Sequence, residues 1–184
     1  IETKGVDVNL DLSTAESGIG SFRFQLMGSF LLDYDELFAN STGGFDRVDR
    51  AGQELGSPTR GFVEEKVTLN NYWNYQEFST LLSLRYLSSL TEQCVGLVAD
   101  FGQTDFCSDP AGLTNKLDSQ LYVDLQVAWA PEDLFGGGWS FAAGVQNLTD
   151  EEPPICFSCD LNSLDGTIYP ISGAFVYLRA SFEN

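Results

Sequence analysis

Four cysteines are the side chains here with the widest chemical repertoire, and they fall in two local pairs, Cys94…Cys107 and Cys156-Phe157-Ser158-Cys159. Such pairs can be loop disulfides, a zinc site, a redox centre or free thiols. The reading adopted is two loop disulfides of an oxidising compartment, Cys94 with Cys107 and Cys156 with Cys159. A four-cysteine zinc site is disfavoured because only one pair has the C-x-x-C spacing of zinc knuckles. A redox C-x-x-C lacks the strand-then-helix context that would lower a thiol pKa.

Other chemistry is hard to assemble. The chain has no histidine, which removes Ser-His-Asp and Cys-His catalysis and His-containing zinc sites. Gly136-Gly137-Gly138 has no lysine and no following helix to cradle a phosphate, so it reads as a flexible turn. Asp33, Asp35, Glu36, Asp46 and Asp49 lack EF-hand spacing and read as a solvated acidic surface rather than a calcium loop. No carboxylate pair stands out for glycoside hydrolysis. Asn40-Ser41-Thr42 and Asn147-Leu148-Thr149 fit a glycosylation sequon but read as loop and strand-end residues. The expectation is a protein without catalytic residues, metal or cofactor: not an enzyme.

The 184 residues carry 27 Asp and Glu against 9 Lys and Arg, a net charge of −18. That balance repels phosphate backbones, so no nucleic-acid partner is expected. With 43% hydrophobic and 13% aromatic residues the chain is too apolar for disorder. No apolar run approaches the ~18 residues of a membrane helix. A membrane β-barrel stays open, because its strands hide apolar residues by alternation.

Alternation is what the sequence displays. In 118–129, Leu121, Val123, Leu125, Val127 and Trp129 take one face and Gln120, Tyr122, Asp124 and Gln126 the other. Val6, Val8, Leu10 and Leu12 alternate with Asp7, Asn9 and Asp11. Phe22, Phe24, Leu26, Gly28 and Phe30 alternate with Arg23, Gln25 and Met27. Further strands are expected at 61–73, 78–90, 139–148 and 174–182, seven in all. The pattern keeps Arg23 and Arg85 off the apolar face.

Connections alternate too: short at 16–18, long at 33–60, short at 74–76, long at 91–116, short at 131–138 and long at 149–173. Outer-membrane barrels have this asymmetry, with short periplasmic turns and long external loops. Trp73, Trp129, Trp139 and Phe182 all fall beside the short turns, as a membrane-interface girdle of aromatic rings would. Phe30, Tyr34, Phe62, Tyr86 and Phe175 are candidates for the opposite girdle. The fold expected is an all-β, antiparallel, up-and-down transmembrane β-barrel segment of about seven strands.

The final residues add a family likeness. Gly144-Val145-Gln146-Asn147-Leu148-Thr149-Asp150, followed by Glu151-Glu152-Pro153-Pro154, resembles the penultimate strand and loop of TonB-dependent outer-membrane receptors. Cys156-Phe157-Ser158-Cys159 with Asp165, Tyr169 and Gly173 resembles a last external loop. Tyr177-Leu178-Arg179-Ala180-Ser181-Phe182 resembles the closing strand, and Gly5-Val6-Asp7 a strand opening. The resemblance implies a barrel of about 22 strands with a plug in its lumen and a short segment that binds TonB. On this reading residues 1–184 are the C-terminal portion of such a barrel, with the plug domain and earlier strands absent. No signal peptide opens the chain, and the family's terminal aromatic is replaced by Asn184.

The implied function is active uptake of a scarce solute across the outer membrane of a Gram-negative bacterium. The partners implied are outer-membrane lipid, the remainder of the barrel and plug, TonB through the missing N-terminal part, and a small-molecule or glycan substrate. The acidic loops argue against a strongly anionic ligand. Two rivals remain, a passive porin and a secreted carbohydrate-binding β-sandwich using the three tryptophans as stacking platforms.

Overall fold

A computed structural model describes residues 1–56, 58–102, 104–132, 134, 136–160 and 162–183. It is an all-β chain built in two parts. Asn184 lies outside the described residues.

The first part is an antiparallel meander of seven strands, each neighbouring the next in sequence. They are β1 (Glu2–Ser13), β2 (Ser21–Ala39), β6 (Glu65–Tyr75), β7 (Phe78–Leu87), β10 (Gln120–Trp129), β11 (Gly138–Gln146) and β12 (Phe175–Glu183). The order is β1-β2-β6-β7-β10-β11-β12, so β1 and β12 are open edges. All seven expected strands are present. The expected 61–73 begins late, at Glu65, and 78–90 breaks after Leu87.

Directly paired residues of an antiparallel ladder point to one face, so the registers assign every side chain. Leu12, Phe24, Asn71, Leu82, Leu125, Val145 and Val176 form one row across the sheet. The rows beside it hold Leu10, Leu26, Leu69, Leu84 and Val123, then Phe22, Trp73, Thr80, Val127, Ala143 and Leu178. Among the described residues Glu65, at the loop end, is the charged side chain this face carries. The opposite face holds Arg23, Gln25, Asn70, Ser83, Arg85, Asp124 and Gln126. Arg23 and Arg85 therefore sit where the alternation put them. Among the described residues no second layer covers the apolar face: Leu12 is 65% exposed, Val176 67% and Leu178 83%.

The second part is a cap made from the three long connections, which the sequence led us to expect only as loops. β3 (Phe45–Asp49) folds back on the far half of β2, from Asp35↔Asp49 to Ala39↔Phe45. β4 (Gln53–Gly56), β5 (Thr59–Gly61), β8 (Leu90–Gln93) and β9 (Thr114–Leu117) form a separate small sheet in the order β5-β4-β8-β9. The β4·β8 pair is parallel and joins the first long connection to the second. One short helix, α1 (Val95–Phe101), follows β8.

The buried core of the molecule lies in this cap. Val63, Leu87, Leu90, Leu117, Tyr122, Cys156, Cys159 and Tyr169 form one cluster with Ile168 packed on it. Leu87 and Tyr122 are polar-face positions of β7 and β10. The cap is therefore seated over the loop end of the polar face.

Candidate functional site

Three regions could act on something outside the chain: the aromatic row at the turn end, the polar face, and the cap above it.

The aromatic row is continuous. Phe24, Phe22, Trp73 and Tyr75 follow one another at centroid separations of 6.3, 6.5 and 5.9 Å. Tyr75 pairs with Phe78 across the β6–β7 hairpin. Phe78, Trp129, Phe141, Trp139 and Phe182 then continue at 6.4, 5.8, 6.0 and 5.0 Å. The structure thus brings Trp73, Trp129, Trp139 and Phe182 together at one end of the apolar face. Two indole N–H groups turn to polar partners at the strand ends: Trp73 Nε1 donates to the Ile19 carbonyl at 2.8 Å, Trp129 Nε1 to Glu77 Oε2 at 2.9 Å. Apolar ring with wet tip is the interfacial habit of tryptophan. Gly20 (φ +96°) lets the β1–β2 turn lie against this row, since a Cβ there would meet the Asn74 carbonyl at 2.2 Å.

The opposite row is less regular. Phe30 and Tyr86 are on the apolar face near the loop end. Tyr34 and Phe62 pack on each other at 4.4 Å. Phe175 departs from expectation: it pairs with Gln146 on the polar face and stacks on Tyr177 at 6.4 Å. The strand period, counted from Val176 and Leu178 outward, places it there.

On the polar face a trough of about 290 Å³ runs beneath the cap between Arg85, Asp124, Gln146, Asn147, Pro170 and Phe175. It adjoins a second hollow lined by Ser83, Gln126 and Tyr177, where Tyr177 Oη donates to Gln126 Oε1 at 2.7 Å. Arg85 lies over the Tyr122 ring at 5.3 Å. These groups have the donors and acceptors to hydrogen-bond a polar solute.

The residues that carried the family resemblance build the walls of this trough. Asn147 Oδ1 accepts from Glu151 N at 2.9 Å and its Nδ2 donates to the Glu151 carbonyl at 2.9 Å, closing the turn after β11. Asp150 Oδ1 accepts from Ala174 N at 2.7 Å and so aims the chain back into β12. Asn40 does the same elsewhere: Oδ1 accepts from Gly44 N at 2.8 Å and closes the β2–β3 tip. Both sequon asparagines are turn-builders.

The cysteines divide. Cys156 and Cys159 are joined by a disulfide, S–S 2.02 Å, in the cap core. Cys94 and Cys107 do not form the second bridge expected from the sequence; both are buried thiols. Cys94 Sγ donates to the Phe106 carbonyl at 3.5 Å. Burial, with the Cys107 thiol alongside, pushes the Cys94 thiol up to about 12. A thiol so protected from ionisation is a poor nucleophile.

The acids also differ from a uniformly solvated surface. Asp35 and Glu36 are buried. Glu36 bridges two guanidinium groups, Oε2 to Arg50 Nε at 3.0 Å and Oε1 to Arg60 Nη2 at 3.2 Å. Asp49 is held below the usual carboxylate range by the backbone N–H groups of Ala51 and Tyr34. Deeper in, Glu54, Glu92 and Asp165 are 1%, 0% and 1% exposed. Glu92 accepts from Asn115 Nδ2 at 2.9 Å and from the Phe157 and Ser158 N–H groups, tying β8 to the disulfide loop. Glu54 Oε1 and Oε2, Asp165 Oδ2 and Tyr169 Oη have no hydrogen-bond partner among the described residues. Burial, then the adjacent Asp165 carboxyl, lifts Glu54 to about 8. Burial and the neighbouring carboxyl thus favour the neutral form of Glu54 at neutral pH.

Sequence reading missed Arg50, Arg60, Glu54, Glu92 and Arg85 as site residues. A signal existed for two of them, since Arg47, Arg50 and Arg60 are a local concentration of cations in a chain that has 9.

No family profile, curated protein or solved structure matches this chain.

Proposed function

We propose that this chain is wall and loop cap of an outer-membrane β-barrel of the TonB-dependent receptor type, serving active uptake of a scarce solute. The observation that carries the reading is the pairing of two faces with two ends. One face is apolar and uncovered from β1 to β12 and ends in a continuous aromatic row, while the other is polar and lies beneath a folded cap. Ten residues of a strand tilted ~45° span about 24 Å, the height of a barrel's apolar band. The receptor type itself rests on the resemblance of residues 144–182, and the open edges of β1 and β12 are where further strands of the barrel would pair.

On this reading the apolar face meets lipid and the tryptophans sit at headgroup level. The polar face lines the lumen, and the cap restricts entry to it. The solute passes or binds along Arg85, Asp124, Gln126 and Tyr177, with no bond made or broken in it. Lipids brominated at stepped depths test this. Single-tryptophan variants in vesicles should all be quenched most strongly at the same shallow depth. A chain that stays monodisperse in plain buffer, with no quenching at any depth, would sink the membrane reading and return the β-sandwich.

A further inference from the structure

We propose that the hollow on the cap between Arg50 and Arg60 binds the carboxylate group of a small monoanionic solute. The site goes beyond the wall-and-cap reading only in naming a ligand class, and it rests on that reading for the solute's being cargo.

The hollow is about 360 Å³, lined by Glu36, Phe38, Arg50, Glu54, Arg60 and Gln93 among others. That is within the size range of small-molecule sites. Arg50 and Arg60 share the single carboxylate of Glu36. Each guanidinium has five N–H donors. Arg50 spends donors on Glu36 and on Gln53 Oε1 at 3.2 Å, and Arg60 spends one on Glu36. Most of their donors have no partner among the described residues. The planes are braced by rings, Arg50 over Phe38 at 5.5 Å and Arg60 over Phe62 at 5.7 Å, so little order is lost on binding.

Charge selects the ligand class. Two arginines and one ionised Glu36 leave the hollow with one positive charge, provided Glu54 in its wall is neutral. Burial favours that form, and the Asp165 carboxyl of the third long connection and the Glu92 carboxyl of β8 add to it, while the Arg60 backbone of β5 and the Tyr169 ring also face the group, the former working the other way. A monocarboxylate neutralises the hollow. A phosphate dianion would overshoot it in a chain already at −18. This local charge runs opposite to what the acidic loops imply as a whole. Guanidinium pairs also favour planar, two-oxygen anions.

The test uses the full chain folded in detergent, with two probe pairs that differ only in the carboxylate: gluconate against sorbitol, and benzoate against benzyl alcohol. Equilibrium dialysis at pH 7 should show an acid binding about tenfold or more tightly than its alcohol. Arg60→Gln should remove that preference, and Arg60→Lys, which keeps the charge near Glu36, should restore part of it. Above pH 8 acid binding should weaken in the wild type as Glu54 ionises. Glu54→Gln should lose that weakening. Equal binding of acid and alcohol, or unchanged binding in folded Arg60→Gln, overturns the proposal. So does an unaltered pH profile in Glu54→Gln. Phosphate binding better than the monocarboxylates overturns the choice of ligand class. Strand content and the lipid-quenching profile report the wall separately, so loss of the anion site and loss of the membrane reading give different results.

Discussion

At the turn end of the molecule, Trp73, Trp129, Trp139 and Phe182 stand on the open surface of a single-layer sheet. At the loop end, Leu90, Leu117, Tyr169 and the Cys156–Cys159 bridge are sealed inside a core. The same chain thus handles apolar groups in two ways. The wall is ordered by ladder hydrogen bonds and leaves its apolar side chains for the surroundings to cover. The cap carries its own core, buries the carboxyl groups of Glu54, Glu92 and Asp165 among others, and is pinned covalently. The wall's stability should therefore depend on the medium, and the cap's on bridge and proton.

The largest effect should come from charging the wall. Leu125→Arg places a cation mid-strand on the apolar face and should cost about 2–4 kcal/mol of folding free energy in vesicles. Gln126→Arg, one residue on and facing the other way, should cost far less. Urea titration in vesicles separates them, and equal losses would mean that the two faces are alike in lipid.

Next is the bridge. Replacing Cys156 and Cys159 by serine should cost the cap about 2 kcal/mol in the chain-entropy picture. Protease cutting within 149–173 should rise while strand content in the wall holds. Loss of wall structure as well would show that the two parts are one cooperative unit.

The smallest effect is protonic. Glu54 is raised in the folded cap to about 8 from an ordinary carboxylate value, so folding takes up a proton between the two. Its contribution is fully present at low pH, below the unfolded value, and is lost as pH rises through about 8. Between pH 6 and 7 the cap should lose stability, on the order of 1 kcal/mol. Glu54→Gln should flatten that slope, as read by the pH dependence of cap proteolysis.

The division between wall and cap is also the division between what could and could not be read from the sequence. Wall strands announce themselves because each face has one environment along its length, so Leu121, Val123, Leu125 and Val127 alternate without a break. The cap has no such period. Its strands are three to five residues long, and its core draws Val63, Leu117 and Tyr169 from separate connections. Parallel pairing of β4 with β8 leaves no local turn signal. Glu54 and Glu92 look like any surface acid, because what buries them is tertiary. Phe175 was misplaced for a related reason: aromatic type suggested an interface, whereas its position relative to Val176 put it on the polar face. Cys94 and Cys107 show the limit of spacing alone, which brought the two thiols near each other without a bond between them.

The length of β2 has a mechanical side. Its 19 residues extend over about 60 Å, far past the point where β6 stops pairing with it at Phe30. Beyond that point β2 is one arm of a hairpin whose other arm, β3, leads through Arg50 into the cap. A pull on the tip at 40–44 is thus shared between two anchors. Through β2 it loads the ladders with β1 and β6 in shear, where many hydrogen bonds resist together. Through β3 it reaches short strands that yield one bond at a time. The hairpin is a handle on the cap with its root in the wall, and under tension the cap gives way first.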